Sequence, residues 1–178
     1  MPRYIMLWCA LSFLSGMDSS AQETCDSAAG RPQSGATPPC WNGKPAFAPE
    51  LDNYLIINVG RGLDVACKLV NEETESCIRF VYVRAGETVA VKNIPEGRYG
   101  VKIAFGSEWR ADTAGGACSG RFRKDAFYQR GRETLDFTVT RTETGLLVPS
   151  FELMLETPAL KSAGEFPTQD IKEAEFVK

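Results

Sequence analysis

Apolar and polar residues alternate with a period of two through most of the chain from Asn53 onward. Successive side chains of a strand point to opposite faces, so this alternation marks half-buried β-structure. It predicts strands at Asn53–Val59, Asp64–Val70, Cys77–Arg84, Glu87–Asn93, Arg98–Phe105, Glu133–Thr140 and Val148–Leu155. In Asp64–Val70 the residues Val65, Cys67 and Leu69 share a face. In Arg98–Phe105 the residues Tyr99, Val101, Ile103 and Phe105 oppose Arg98, Gly100 and Lys102. Cys77–Arg84 is apolar on both sides, with Ile78, Phe80 and Tyr82 against Val81 and Val83, which predicts a central strand. Ala85-Gly86 and Pro95-Glu96-Gly97 supply turns. Ser107–Gly131 lacks such regularity and reads as a long loop with one short strand at Gly120–Phe122. The tail from Glu156 is polar, with a helical turn at Gln169–Phe176. Seven or eight short strands separated by turn residues predict an all-β, antiparallel β-sandwich over residues 51–178.

Two segments precede it. Residues 22–50 are rich in Pro, Gly and Ser and read as a disordered or loop-like leader, with Trp41 and Phe47 as candidates to dock on the domain edge. Residues 1–21 read as a signal peptide: Arg3, the apolar run Ile5–Gly16, then Ser19-Ser20-Ala21 for cleavage before Gln22. The 12 residues of that run are too few to span a bilayer as a helix. The expectation is export, periplasmic or extracellular, with no transmembrane segment.

Composition narrows the chemistry. A net charge of −3 on 178 residues gives no overall attraction to nucleic acid or anionic membrane, so any anion site is a local patch. The sequence has no histidine, which excludes Ser-His-Asp and Cys-His catalysis and most zinc and copper sites. Asp52, Asp64 and Glu108 are not set in a calcium-binding loop pattern, no CxxC pair occurs, and no glycine-rich phosphate loop opens a helix. No cofactor or metal is expected. With Cys9 in the signal, Cys25, Cys40, Cys67, Cys77 and Cys118 remain. Export favours disulfides. Cys67–Cys77 is expected across the first hairpin, if a three-residue loop at Asn71–Glu73 sets them opposite, and Cys25–Cys40 within the leader. Cys118 is then left over: a reactive or intermolecular thiol, a buried small hydrophobe, or a partner for Cys40.

From Val81 to Phe105 the order is strand, Ala-Gly-Glu turn, strand, Ile-Pro-x-Gly turn and a tyrosine-bearing strand. This resembles the later half of carboxypeptidase-regulatory-like and transthyretin-like sandwiches. Adding Trp109, Cys118-x-x-x-Phe122, Tyr128, Leu135-x-Phe137, Phe151-Glu152-Leu153 and Glu175-Phe176, the array from about Asp64 to Phe176 resembles a group of bacterial exported or membrane-tethered domains of unassigned function. The resemblance implies a sandwich in a bacterial envelope setting and carries no catalytic residues across. Cys67, Cys77 and the cysteine-bearing leader depart from it.

The richest candidate chemistry lies in Gly120–Arg132. Arg121, Arg123, Lys124, Arg130 and Arg132 face only Asp125, a local charge of +4, with Phe122, Phe127 and Tyr128 interleaved. Arginine beside aromatics suits phosphate, carboxylate or sugar recognition. Trp109, Arg121, Phe122, Arg123 and Tyr128 are therefore the expected binding residues. The competing reading has the aromatics capping the core and the arginines solvated or paired with the acidic tail. Glu108 and Asp112, four apart beside Trp109, are a candidate pair for two-carboxylate hydrolysis. The leading expectation is a non-enzymatic exported binding or scaffold module of the bacterial envelope. It would present residues 107–132 to an envelope protein or an anionic or glycan ligand. The alternatives are a secreted inhibitor or immunity-like effector accessory protein, and a carbohydrate-active enzyme.

Overall fold

The computed structural model describes residues 31–112, 118–157 and 164–178. The signal peptide expected at 1–21 and Cys25 lie outside them. The elements are β1 (Tyr54–Val59), β2 (Asp64–Asn71), β3 (Cys77–Val83), β4 (Thr88–Lys92), β5 (Arg98–Asp112), β6 (Ser119–Gly131), β7 (Leu135–Asp136), β8 (Thr140–Thr142), β9 (Gly145–Leu147), β10 (Phe151–Leu155), β11 (Thr168–Ile171) and α1 (Glu173–Val177). A three-stranded sheet runs β10-β1-β4. A larger one runs β11-β6-β5-β2-β3, with β7 beside the start of β5, and β8–β9 is a separate hairpin. The chain is mostly β, as the alternation predicts, and its sheets are antiparallel apart from the parallel pairing of β1 with β10.

The two sheets enclose one core. Leu55, Ile57, Leu153 and Leu155 of the small sheet pack against Val65, Cys67, Leu69, Val101, Ile103 and Phe105 of the large one. The large sheet has a second apolar face, made of Ala66, Phe80, Tyr82, Ala104, Trp109 and Phe122 and covered by Phe176 of α1 and the half-buried Trp41 of the leader. As a result β2 is buried at every position from Asp64 to Leu69.

The leader is loop-like over residues 31–50, and it seals an edge. Gly35 N donates to Tyr82 O at 2.8 Å, Tyr82 N to Ala36 O at 2.9 Å, Ala46 N to Ile78 O at 3.2 Å and Ala48 N to Asn93 O at 3.0 Å. An unpaired strand edge is a template for aggregation, and covering it is one common remedy. This corrects the expectation that β3 is central. It is the last strand of its sheet, and its second apolar flank meets the leader rather than another strand. On the opposite side of the sandwich Phe166 N donates to Met154 O at 2.9 Å and the Phe166 ring enters the core.

Two further expectations are overturned. Residues 107–112 and 119–131 belong to the long paired strands β5 and β6 rather than to a loop, with the register shifting between Phe105 and Ser107. That irregularity breaks the period of two that the sequence would otherwise display. The disulfide is Cys40–Cys118, with Cα atoms 4.9 Å apart, while Cys67 and Cys77 are free. The first hairpin turns later than expected: Asn71 N bonds Ser76 O, and Asn71 Oδ1 accepts from the amides of Glu73 and Thr74. The longer turn sets Cys67 opposite Val81 and Cys77 opposite Val70. Cys67 belongs to the core between the sheets and Cys77 to the aromatic face, so they cannot bridge. Cys40, expected to pair with Cys25, is taken by Cys118.

Burial pushes the Cys67 thiol pKa up to about 12 and that of Cys77 up as well. Non-reducing peptide mapping is expected to recover a Cys40–Cys118 peptide. A thiol probe should label Cys77 slowly in the native protein and Cys67 only after unfolding. Cys118→Ser should lower unfolding free energy by about 2–4 kcal/mol, the usual contribution of a bridge closing a long loop. A Cys67–Cys77 peptide would contradict the β2–β3 register.

Candidate binding surface

Beyond its irregularity the β5–β6 hairpin sorts its residues by face. Trp109 lies opposite Phe122 with ring centroids 4.9 Å apart, and both rings reach Tyr82 at 6.0 Å. The next pair is Arg110 opposite Arg121. Alternation therefore puts Arg110 and Arg121, with Arg123 and Glu108, on the side turned away from the aromatic layer. All four are exposed. Glu108 forms an ion pair with Lys124, whose hydrogen bond holds the Glu108 carboxyl below its usual range. Glu108 and Asp125 adopt positive φ of 56° and 52° where the register shifts. The Cys40–Cys118 bridge ties the far end of the hairpin to the leader. Gly120 permits this close approach, since a Cβ there would lie 2.5 Å from Trp109 Cζ2 and 2.9 Å from Pro39 O.

At the root of the hairpin a cleft of about 290 Å³ is lined by Arg31, Asp64, Ser107, Glu108, Trp109 and Arg110 among others. Asp64 is buried, yet its carboxylate is fully engaged. It accepts from Arg31 through both Nε, at 2.7 Å, and Nη2, from Tyr82 Oη, and from the amide of Ala85 at 2.9 Å. Burial alone would raise its pKa; the hydrogen bonds of Arg31, Tyr82 and Ala85 outweigh it and hold the carboxyl below the ordinary value. The same surroundings push the Tyr82 hydroxyl well up. The cluster fastens the leader to the start of β2. Trp109 Nε1 is a buried donor without a hydrogen-bond partner among the described residues.

The expected binding residues separate into two groups. Arg121 and Arg123 are exposed on the hairpin. Trp109 and Phe122 are 3% and 4% exposed and build the aromatic layer, so a ligand cannot stack on either without opening the sheet face. Tyr128 is half-buried against the Phe176 ring at 5.4 Å; burial and the carboxylate of Glu173 push its pKa up to about 12. Arg110 escaped sequence reasoning because its segment reads as a loop, although Glu108, Arg110 and Asp112 already alternate with Trp109 and Ala111. The Asp112 side chain lies outside the described residues, and Glu108 is occupied by Lys124. Among the described residues no three acidic or cysteine side chains cluster as metal ligands, and no helix is long and apolar enough to cross a membrane. Comparison of the chain with protein-family models, with curated proteins and with solved structures finds no match.

The Asp64 cluster sets a pH dependence. A carboxyl with a depressed folded-state pKa contributes stability that is complete at neutral pH and is lost as pH falls through that value. Stability measured by denaturant unfolding should drop on acidification below about pH 4, where an ordinary Asp is half protonated. Asp64→Asn should cost about 1.5–3 kcal/mol at pH 7, the range for hydrogen bonds to a charged group, and flatten that acid limb. An acid limb of unchanged depth in the variant would remove Asp64 as its source.

Proposed function

We propose that this chain is a non-enzymatic, exported binding module of the bacterial envelope whose recognition element is the arginine-bearing face of the β5–β6 hairpin. The observation that carries the reading is the grouping of Arg110, Arg121 and Arg123 on one exposed side of a hairpin that is anchored at its root by buried Trp109 and Phe122 and at its far end by Cys40–Cys118. Guanidinium groups on a rigid support recognise oxyanions with little ordering cost. A disulfide that closes a long loop fits an oxidising compartment. The motif order from Asp64 to Phe176 supports the same setting by its resemblance to exported bacterial sandwiches. The partner class is an acidic envelope protein or an anionic glycan.

The test is the triple variant Arg110→Ala, Arg121→Ala, Arg123→Ala, with its fold checked by thermal unfolding. It is expected to elute from an immobilised sulfated glycan at markedly lower salt than the parent chain. It should also lose its crosslinked partners from an envelope extract. Elution at the same salt with the same partners would retire the hairpin as the recognition element.

A further inference from the structure

A second cationic feature lies on the large sheet, on the face opposite to that of Arg110, Arg121 and Arg123. Register sets Lys68 directly opposite Lys102, and Lys102 directly opposite Arg130. Directly opposed residues of neighbouring antiparallel strands share a face at close range, and like charges so placed repel. Three cations therefore form a row across β2, β5 and β6 on the face that α1 covers. None has a carboxylate partner among the described residues. Lys68 Nζ donates to the carbonyls of Phe176 at 2.7 Å and Val177 at 3.3 Å and lies over the rings of Phe80 and Phe176. Lys102 Nζ donates to Glu175 O at 2.7 Å. The carbonyl end of α1 thus supplies partial negative charge to two members of the row. Arg130, the third, is exposed and its side chain makes no hydrogen bond or ion pair among the described residues.

Arg130 opens onto a groove of about 630 Å³, within the range of small-ligand sites. Its floor includes Gly100, where an added Cβ would meet nothing within 4 Å. On the β5–β6 side it is lined by Lys102, Arg130 and Arg132, with Glu133 next to them, and at α1 and just beyond it by Glu175 and Lys178. On the side of the β2–β3 turn it is lined by Glu72 and Glu75. Glu72 accepts from Thr134 Oγ1 at 2.6 Å through one oxygen and pairs with Arg98 Nε at 3.7 Å through the other, which orients it. A ligand matched to both walls carries a dianionic or monoanionic oxyanion at one end and hydroxyl donors at the other.

We infer that this groove binds a phosphorylated sugar or polyol. The phosphate sits at Arg130, Arg132 and Lys102, where guanidinium forks suit its oxygens, and the hydroxyls donate to Glu72 and Glu75. Phosphate-bearing polyols occur both as free metabolites and as repeat units of polymers, and the chemistry of the site is common to the two.

The experiment is an NMR titration of the isotopically labelled chain with glucose 1-phosphate, inorganic phosphate and short poly(glycerol phosphate) oligomers. Glucose 1-phosphate should cause saturable shifts at the amides of Gly100, Lys102 and Gly131. Arg130→Gln with Arg132→Gln should weaken it by about tenfold or more, equivalent to one lost charge-assisted contact. Both side chains are exposed, so this variant should keep the parent melting temperature. The hairpin triple variant should bind as the parent does, which separates this site from the proposed recognition face. Competition by the oligomers at the same amides assigns a polymer source and its absence a free metabolite, and either upholds the site. Three results overturn it: no saturable shift, affinity unchanged in the double variant, or inorganic phosphate binding as tightly as glucose 1-phosphate, which would take Glu72 and Glu75 out of recognition.

Discussion

The constraint on which the structure depends is a sheet that is apolar on both faces. A half-solvated antiparallel sheet needs one partner layer; the large sheet of this chain needs two. The small sheet covers one face. The other carries Phe80, Tyr82, Trp109 and Phe122, all buried. Each such ring removes on the order of 150–250 Å² from water, worth roughly 4–6 kcal/mol in transfer free energy. The β8–β9 hairpin contributes no residue to that buried cluster; among the described residues the segments flanking the sandwich cover it, Trp41 from the leader and Phe176 from α1. The same face holds Lys68, an amine in a largely apolar setting, and burial drives its pKa down. Two carbonyls at the end of α1 and the faces of two rings receive the charge. The five-residue helix is too short to be stable by itself. Its place is set by the aromatic socket for Phe176 and by the demand of Lys68 for acceptors.

The leader is held by a different mechanism. It buries little aliphatic surface, so hydrogen bonds along β3, one ion pair and one covalent bond do the fastening. Arg31 meets the buried carboxylate of Asp64, and Cys40 meets Cys118. These anchors fix both ends of a ten-residue stretch, and the main-chain bonds at Gly35 and Ala36 lie between them. A backbone segment with so few apolar side chains would otherwise exchange its hydrogen bonds for water at small net cost.

The strands whose alternation is uninterrupted were legible in the sequence. Tyr99, Val101, Ile103 and Phe105 are all buried, and so are Leu135, Phe137 and Val139. Yet in the second set only Leu135 and Asp136 pair as a strand, because Phe137 N turns to Gly97 O instead. Alternation reports burial more directly than it reports pairing. The features that escaped are non-local or phase-shifted. The parallel alignment of β1 with β10 joins residues almost a hundred positions apart, and nothing local encodes it. The irregularity after Phe105 shifts the period, so two long strands look like a loop. The Cys67–Cys77 expectation failed by the length of one turn, which Asn71 sets by accepting from its neighbours. Of the candidate site, the arginines of residues 120–132 were visible as a charge run. That Arg110 stands beside Arg121 depends on a pairing register that residues 107–131 do not display.

The hairpin and the groove divide that charge run between the two faces of the large sheet. Along β6 plain alternation does the dividing. Phe122 and Tyr128 both meet the aromatic layer, so Arg121 and Arg123 point away from it, while Arg130 lies on its side next to the groove. β5 does not keep phase in the same way. Ala104 and Trp109 are five positions apart, yet both belong to the aromatic layer, whereas Phe105 belongs to the core between the sheets. Strict alternation from Phe105 would carry Trp109 to the core side and Arg110 into the aromatic layer. The register shifts between Phe105 and Ser107, and Glu108, just before Trp109, takes a positive φ of 56°. This one irregularity therefore has two effects. It delivers Trp109 to Tyr82 and Phe122, and it turns Arg110 to the side of Arg121 and Arg123. The hydrophobic demand of the second face and the grouping of the three arginines are thus set by the same kink, and burial of the rings at Trp109 and Phe122 holds the arginines next to them in place.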